Sequence, residues 1–195
     1  LIRLMGKGKD FCTGRISPMP PKGARTTGAH IKAVVAEPPL ALYNAFRAAP
    51  VPVLCVVQGQ ALGLGCAIAV AADMTIASED AIFQVPEMEH DIPPLLVMTA
   101  LMQKVPLKAI AHLVLSTERI SATQARDWGL ITQVAAPAEF DRAVADLTRR
   151  FLGYSTLSIR TIKDYLRAAK EMTQEGATSL AGNLMGAALS ARFPD

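Results

Sequence analysis

The chain is poor in the residues that usually announce a metal or nucleic-acid protein. It has three histidines, His30, His90 and His112, and none stands at His-Glu-x-x-His spacing, which argues against a metal site. Its three cysteines, Cys12, Cys55 and Cys66, are odd in number and lack Cys-x-x-Cys spacing, so free thiols in a reducing cytoplasm are expected. Lys and Arg exceed Asp and Glu by only three charges and form no run. That excess is too small to call for a nucleic acid but is compatible with an anionic small molecule. The longest apolar run, Ala61 to Ala72, is too short to span a bilayer and ends at Asp73, so no membrane partner is expected. Residues 1–14 carry Arg3, Lys7, Lys9 and Asp10 and no apolar signal-peptide core. LIRLM begins inside a strand-like run with no initiator Met, so a preceding segment is expected. Three site motifs are also missing: the dinucleotide Gly-x-Gly-x-x-Gly, the phosphate-binding P-loop, and the Gly-x-Ser-x-Gly nucleophile elbow.

What is present is aliphatic and ordered by period. Apolar residues make up 51% of the 195 and aromatics only 5%, enough for one domain with a real core packed from aliphatic and alanine side chains. Gly14 to His30 holds three prolines and reads as a loop. PPLALYNAFRAA, with Pro39 near its start, reads as a helix. VPVLCVVQG is a strand buried on both faces, Leu64 to Ala72 a short helix, and MTIAS and AIFQV two short strands. PLLVMTALMQK and PLKAIAHLVLS then read as helices. Ser121 and Gln124 form a capping box for SATQARDWG, and ITQVAA is a last strand. Helices near 137–151, 157–172 and 177–191 complete the chain. The sum is an α/β core over residues 1–135 followed by a helical C-terminal region over 136–195.

Three segments carry chemistry. KDFCTGRI is a strand end that runs into a glycine turn; GQALGLG is a second glycine turn, followed by a helix; Pro86-Glu87 follows a strand. Two such turns presenting free N–H groups, one at a helix N-terminus, make a two-amide oxyanion hole. Donors fixed about 3 Å from a developing oxyanion stabilise it, and a nearby carboxylate moves a proton to or from the adjacent carbon.

These segments resemble the crotonase superfamily of enoyl-CoA hydratases and isomerases. GKGKDFCTGRI follows the family pattern G-x-G-K-x-F-[SA]-x-G-x-D, with Ile16 in place of the aspartate. QGQALGLGCAIAVAADMTIASEDAIFQVPE follows N-G-x-A-x-G-G-G-x-x-L-A-x-x-C-D and the A-x-F-x-x-P-E after it, without a gap. RISATQARDWGLITQV is similar to the family's downstream stretch. The resemblance implies a spiral of ββα units and an acyl-CoA thioester as partner, with coenzyme A as part of the substrate and no separate cofactor. It also implies a homotrimer or dimer of trimers, a short acidic turn and last helix beyond ARFPD, and cytoplasmic placement.

Residue by residue, the oxyanion amides fall on Arg15 and Leu64, with Thr13, Gly14, Gly63 and Pro86 lining the substrate site. Glu87 is the acid/base, which requires burial among neighbours such as Val85 and Met88 to raise its pKa. Family hydratases carry a first glutamate where this chain has Ala67. One glutamate suits double-bond isomerisation or another single-base enolate chemistry better than hydration. A hydrolase or decarboxylase of a branched or cyclic acyl-CoA, or an inactive CoA-ester-binding scaffold, remains open. Glu89, His90 and Asp91 are either a solvated turn or a substituted acid/base set. Cys12 and Cys66 are expected to be packing residues, as is His112. Arg15, Lys22 and Arg25 either meet CoA phosphates or are solvated. Position 91 is usually glycine in the family, and the family's G-x-G-G is replaced here by LLVM after Pro94.

Overall fold

The computed structural model describes the chain except for residues 17, 22, 103, 191, 192, 194 and 195. The first sheet is parallel, in the order β1 (Ile2–Met5), β2 (Val53–Val57), β4 (Met74–Ser78), β7 (Gln133–Ala135). The second pairs β3 (Gln60–Leu62) parallel to β5 (Ile82–Gln84), and β5 antiparallel to β6 (Ile120–Ser121). Strands β2 to β5 alternate between the two sheets, crossing to the second by short turns and returning to the first through a helix. Helix α3 (Leu64–Ala71) closes the β2–β3 unit. Helices α4 (Leu95–Leu101) and α5 (Leu107–Ser116) follow β5. This is the expected α/β crotonase spiral.

Strand β2 shows why the spiral holds. All five of its residues are buried, as its unbroken aliphatic run requires. Val53, Cys55 and Val57 face the main core with Ala61, Val70 and Phe83. Leu54 and Val56 face the other way, onto Ile76 and onto Val144 of α7 (Phe140–Leu152). The period of two thus serves two apolar layers with one strand. Helix α6 (Ala122–Asp127) begins with the expected capping box: Ser121 accepts from the Gln124 N–H, and the Gln124 side chain accepts in return.

The last helices are α8 (Thr156–Ala169) and α9 (Gln174–Ser190). Only one side chain of α8, Lys163, is buried. Its Nζ donates to Asp73 Oδ2 at 2.6 Å and Oδ1 at 2.7 Å, and to the Phe46 carbonyl at 3.3 Å. Asp73 also accepts the Val53 N–H at 2.8 Å, so one ion pair ties α8 to the edge of β2. Among the described residues no helix is long and apolar enough to cross a membrane.

The sequence reading and the structure part at three places. The stretch expected to be a loop up to His30 turns helical at Gly28, where Thr27 Oγ1 accepts the His30 N–H and starts α1 (Gly28–Ile31). The helix expected near Pro39 is the end of a longer path, in which a π-helical turn (Lys32–Ala36) feeds α2 (Glu37–Ala48) with its prolines in the first turn. A proline ring has no N–H to continue an α-helical ladder, and the wide turn falls where the ladder is broken. Finally, β3 and β6 are too short to leave a periodic signal. They exist because β5 offers both of them backbone partners.

Candidate active site

A parallel backbone pairing brings the two glycine turns together. The Phe11 N–H donates to the Gln58 carbonyl (2.9 Å), Cys12 N–H to Gln60 O (3.0 Å), and Leu62 N–H to Cys12 O (2.9 Å). The Asp10 carboxylate accepts the Gln60 N–H at 3.0 Å. Gly65 permits this approach, because a Cβ there would stand 2.1 Å from the Cys12 carbonyl oxygen. Thr13, Gly14 and Arg15 are thereby carried alongside Gly63 and Leu64.

Gly63 makes the second turn. Its φ of 51° with ψ of −114° is backbone that L side chains rarely adopt. Its N–H extends the β3–β5 ladder to the Gln84 carbonyl (2.9 Å), and the chain then turns directly into α3. Leu64 is the first residue of that helix, so its N–H has no partner within α3 and points out of the positive end of the helix. A side chain at 64 is accommodated, half-buried and packed on the core.

Glu87 faces this turn. An ideal Cβ on Gly63 would lie 2.8 Å from Glu87 Oε1, so the carboxylate sits directly over the glycine. Its other oxygen, Oε2, is buried and has no hydrogen-bond partner among the described residues. Burial pushes the Glu87 pKa above its ordinary value near 4.5; a backbone hydrogen bond and the nearby His90 offset this in part. An unpaired carboxyl withdrawn from water holds its proton longer, as a general acid/base at neutral pH must. Of the two neighbours expected to bury it, Val85 is fully buried, but Met88 is 42% exposed and turns away.

Thr13, Gly14, Arg15, Gly63, Leu64, Pro86 and Glu87 all line one cavity of about 320 Å³. Tyr43, Ile92, Pro94 and Val97 complete much of its wall. Such a cavity suits a small apolar group presented to a few fixed polar atoms. A second cavity of about 300 Å³ lies around the Asp73–Lys163 pair and contains none of these residues.

The other expectations sort by geometry. The Arg15 side chain is half-buried and gives one guanidinium N–H to the protein itself. Pro39 has no N–H to give to the Val35 carbonyl four residues back, and Arg15 Nη2 donates to that carbonyl at 2.6 Å. Arg25 is exposed, and Lys22 lies outside the described residues. The polar trio divides. His90 lines the cavity, whereas Glu89 accepts from Gln84 Nε2 at 2.9 Å. Asp91 ends the short 3-10 turn (Glu87–His90) with φ of 56°, the conformation that explains the family's glycine there. Cys66 is fully buried and Cys12 half-buried. Ala67 is buried too, in the first turns of α3. His112 is at the surface, 3.0 Å from Glu118 Oε2 and edge-on to Trp128. Among the described residues no three His, Cys, Asp or Glu side chains gather as metal ligands. Tyr43 was not legible as a site residue; in PPLALYNAFRAA it reads as one more apolar position of a helix.

The sequence profile of the enoyl-CoA hydratase/isomerase family matches residues 2–190. The chain belongs to that family. It is 30% identical over 125 residues to the carnitinyl-CoA dehydratase of Salmonella typhi, covering 64% of this chain and 48% of that enzyme. The chain thus spans about half the length of the curated relatives it matches. The human enoyl coenzyme A hydratase domain-containing protein 3 shares the fold at a TM-score of 0.86 and 23% identity, over 94% of this chain and 72% of that one. An enoyl-CoA hydratase from Mycobacterium smegmatis superposes with a TM-score of 0.84 at 25% identity, over 92% and 69%. A Thermobifida fusca protein solved with acetoacetyl-CoA does so at 0.81 and 23%, over 97% and 77%.

Proposed function

We propose that the protein acts on an acyl-CoA thioester, with Glu87 as its one acid/base and the Arg15 and Leu64 amides holding the thioester oxygen as the enolate forms. The observation that carries this reading is the Glu87 carboxyl: half-buried, with a buried Oε2 that has no partner among the described residues, raised in pKa, and lying over the Gly63 turn. Withdrawal of an α-proton leaves negative charge on the thioester oxygen. The N–H of Leu64, backed by the positive end of α3, and that of Arg15 meet that charge, each worth roughly 3–4 kcal/mol in the transition state. Ala67 offers no second proton carrier. A single carboxylate that takes a proton at one carbon and returns it at another therefore accounts for the site better than addition of water held between two carboxylates. Coenzyme A enters as part of the substrate, as the acetoacetyl-CoA bound by the Thermobifida fusca protein illustrates. The exposed apolar residues Leu157, Ile162 and Leu166 of α8 and Met185 and Leu189 of α9 support assembly with further copies, as a homotrimer or a dimer of trimers.

The test is isomerisation of a 3-enoyl-CoA and exchange of α-protons of an acyl-CoA in D2O, followed by NMR. The wild type catalyses one or both, and Glu87→Gln loses roughly a hundredfold or more. Hydration of crotonyl-CoA is slow. Full activity in Glu87→Gln ends the reading, and tight thioester binding without turnover by the wild type replaces it with a binding protein.

A further inference from the structure

The candidate cavity holds a second buried polar atom without a partner. Tyr43, on α2, is only 6% exposed, and its Oη has no hydrogen-bond partner among the described residues. The ring lines the same cavity as Arg15, Leu64 and Glu87. Its hydroxyl is close enough to Arg15 and Glu87 for both charges to act on it, yet bonds to neither; Arg15 is committed to the Val35 carbonyl. An unpaired buried hydroxyl is a liability to folding, and a phenylalanine would fill the same space without it. A fold that keeps such a group on the wall of a binding cavity has a use for it when the cavity is filled.

The direction of the bond follows from chemistry. Burial pushes the Tyr43 pKa up to about 12, so the phenol stays protonated at any physiological pH and is a donor. Pro39, Leu64 and Val97 make much of the wall apolar, and none of the polar side chains that also line it, Thr13, Arg15, Glu87 and His90, bonds the Tyr43 hydroxyl. The thioester oxygen already has two backbone donors in the reading above, on which this inference rests. The group left for Tyr43 Oη is an oxygen further along the acyl chain.

We infer that Tyr43 is a specificity-determining residue whose hydroxyl donates to an oxygen atom on the acyl group, so that the site takes hydroxyacyl or oxoacyl thioesters in preference to plain alkyl ones. A site built to bond a substrate oxygen discriminates strongly against the analogue that lacks it, because the protein's own polar group is then left unpaired.

The test is the equilibrium binding of butyryl-CoA, 3-hydroxybutyryl-CoA and 4-hydroxybutyryl-CoA to the wild type and to Tyr43→Phe. The wild type is expected to bind at least one hydroxylated thioester roughly tenfold or more tightly than butyryl-CoA, and Tyr43→Phe to bind them alike. Tyr43→Phe is also expected to unfold at no lower temperature than the wild type, which separates loss of a ligand contact from loss of structure. The inference is overturned if the wild type shows no preference, if the preference survives in Tyr43→Phe, or if the variant weakens all three thioesters equally. It fails independently of the Glu87 reading, which is decided by proton exchange and not by the binding ratio. Failure of the wild type to bind any of the three overturns both.

Discussion

Replacing Gly63 with alanine perturbs the backbone and the carboxylate at one point, and the two effects are measured separately. The new methyl requires φ of 51° with ψ of −114° in an L residue, a strain that costs about 1–3 kcal/mol. It also stands 2.8 Å from Glu87 Oε1, where ordinary contact begins at 3.4 Å, so the carboxylate must retreat by about 0.6 Å. A chain of this size shifts its melting midpoint by roughly 2–4 °C per kcal/mol, so a fall of about 2–12 °C is expected by circular dichroism. Displacing a catalytic group by a large fraction of an ångström costs between about ten- and a hundredfold in rate. The α-proton exchange rate should drop by that factor while the folded fraction at 25 °C stays near complete. A variant that melts lower but exchanges at the wild-type rate refutes the placement of Glu87 over the turn. One that is unchanged in both refutes the geometry of the turn itself.

Lys163→Met leaves Asp73 without its cation, and because the Asp73 side chain is 27% exposed the loss is expected at the low end for a buried pair, about 3 kcal/mol; a denaturant midpoint equal to the wild type's would show that the pair does not anchor α8. Glu87→Gln removes a carboxyl whose pKa is raised in the folded state. The stability this group contributes is fully present below the ordinary value near 4.5 and is lost as pH rises through the folded pKa. The variant should therefore be the more stable at neutral pH, with the difference vanishing in acid. Unfolding curves for the two proteins across pH check the sign.

Much of the spiral was legible because its signals are local. VLCVV is long and aliphatic enough to read as a doubly buried strand, and its five residues are all buried. Ser121 and Gln124 announce their helix by a three-residue spacing, and the structure makes both of its hydrogen bonds. Strands β3 and β6 were not legible, since two or three residues carry no period and become strands only when a neighbour accepts their backbone. Nor was the early start of the helix before α2, because a run rich in glycine and proline resembles a loop until Thr27 caps it and a π-helical turn leads into α2.

The residues of the candidate site divide in the same way. Composition and order alone determined the two glycine turns, the Pro-Glu after a strand, and the methyl group of Ala67. These are statements about which atoms exist. Only the tertiary structure decided which atoms meet. It set the Glu87 carboxylate over Gly63, turned Glu89 towards Gln84, spent the Arg15 side chain on Val35, and left the Tyr43 hydroxyl unpaired in the cavity. The reason is that turn chemistry is written in neighbouring residues. Burial, and pairings such as Arg15 with Val35 or Glu87 with the Gly63 turn, depend on segments twenty or more residues apart, which only packing brings together.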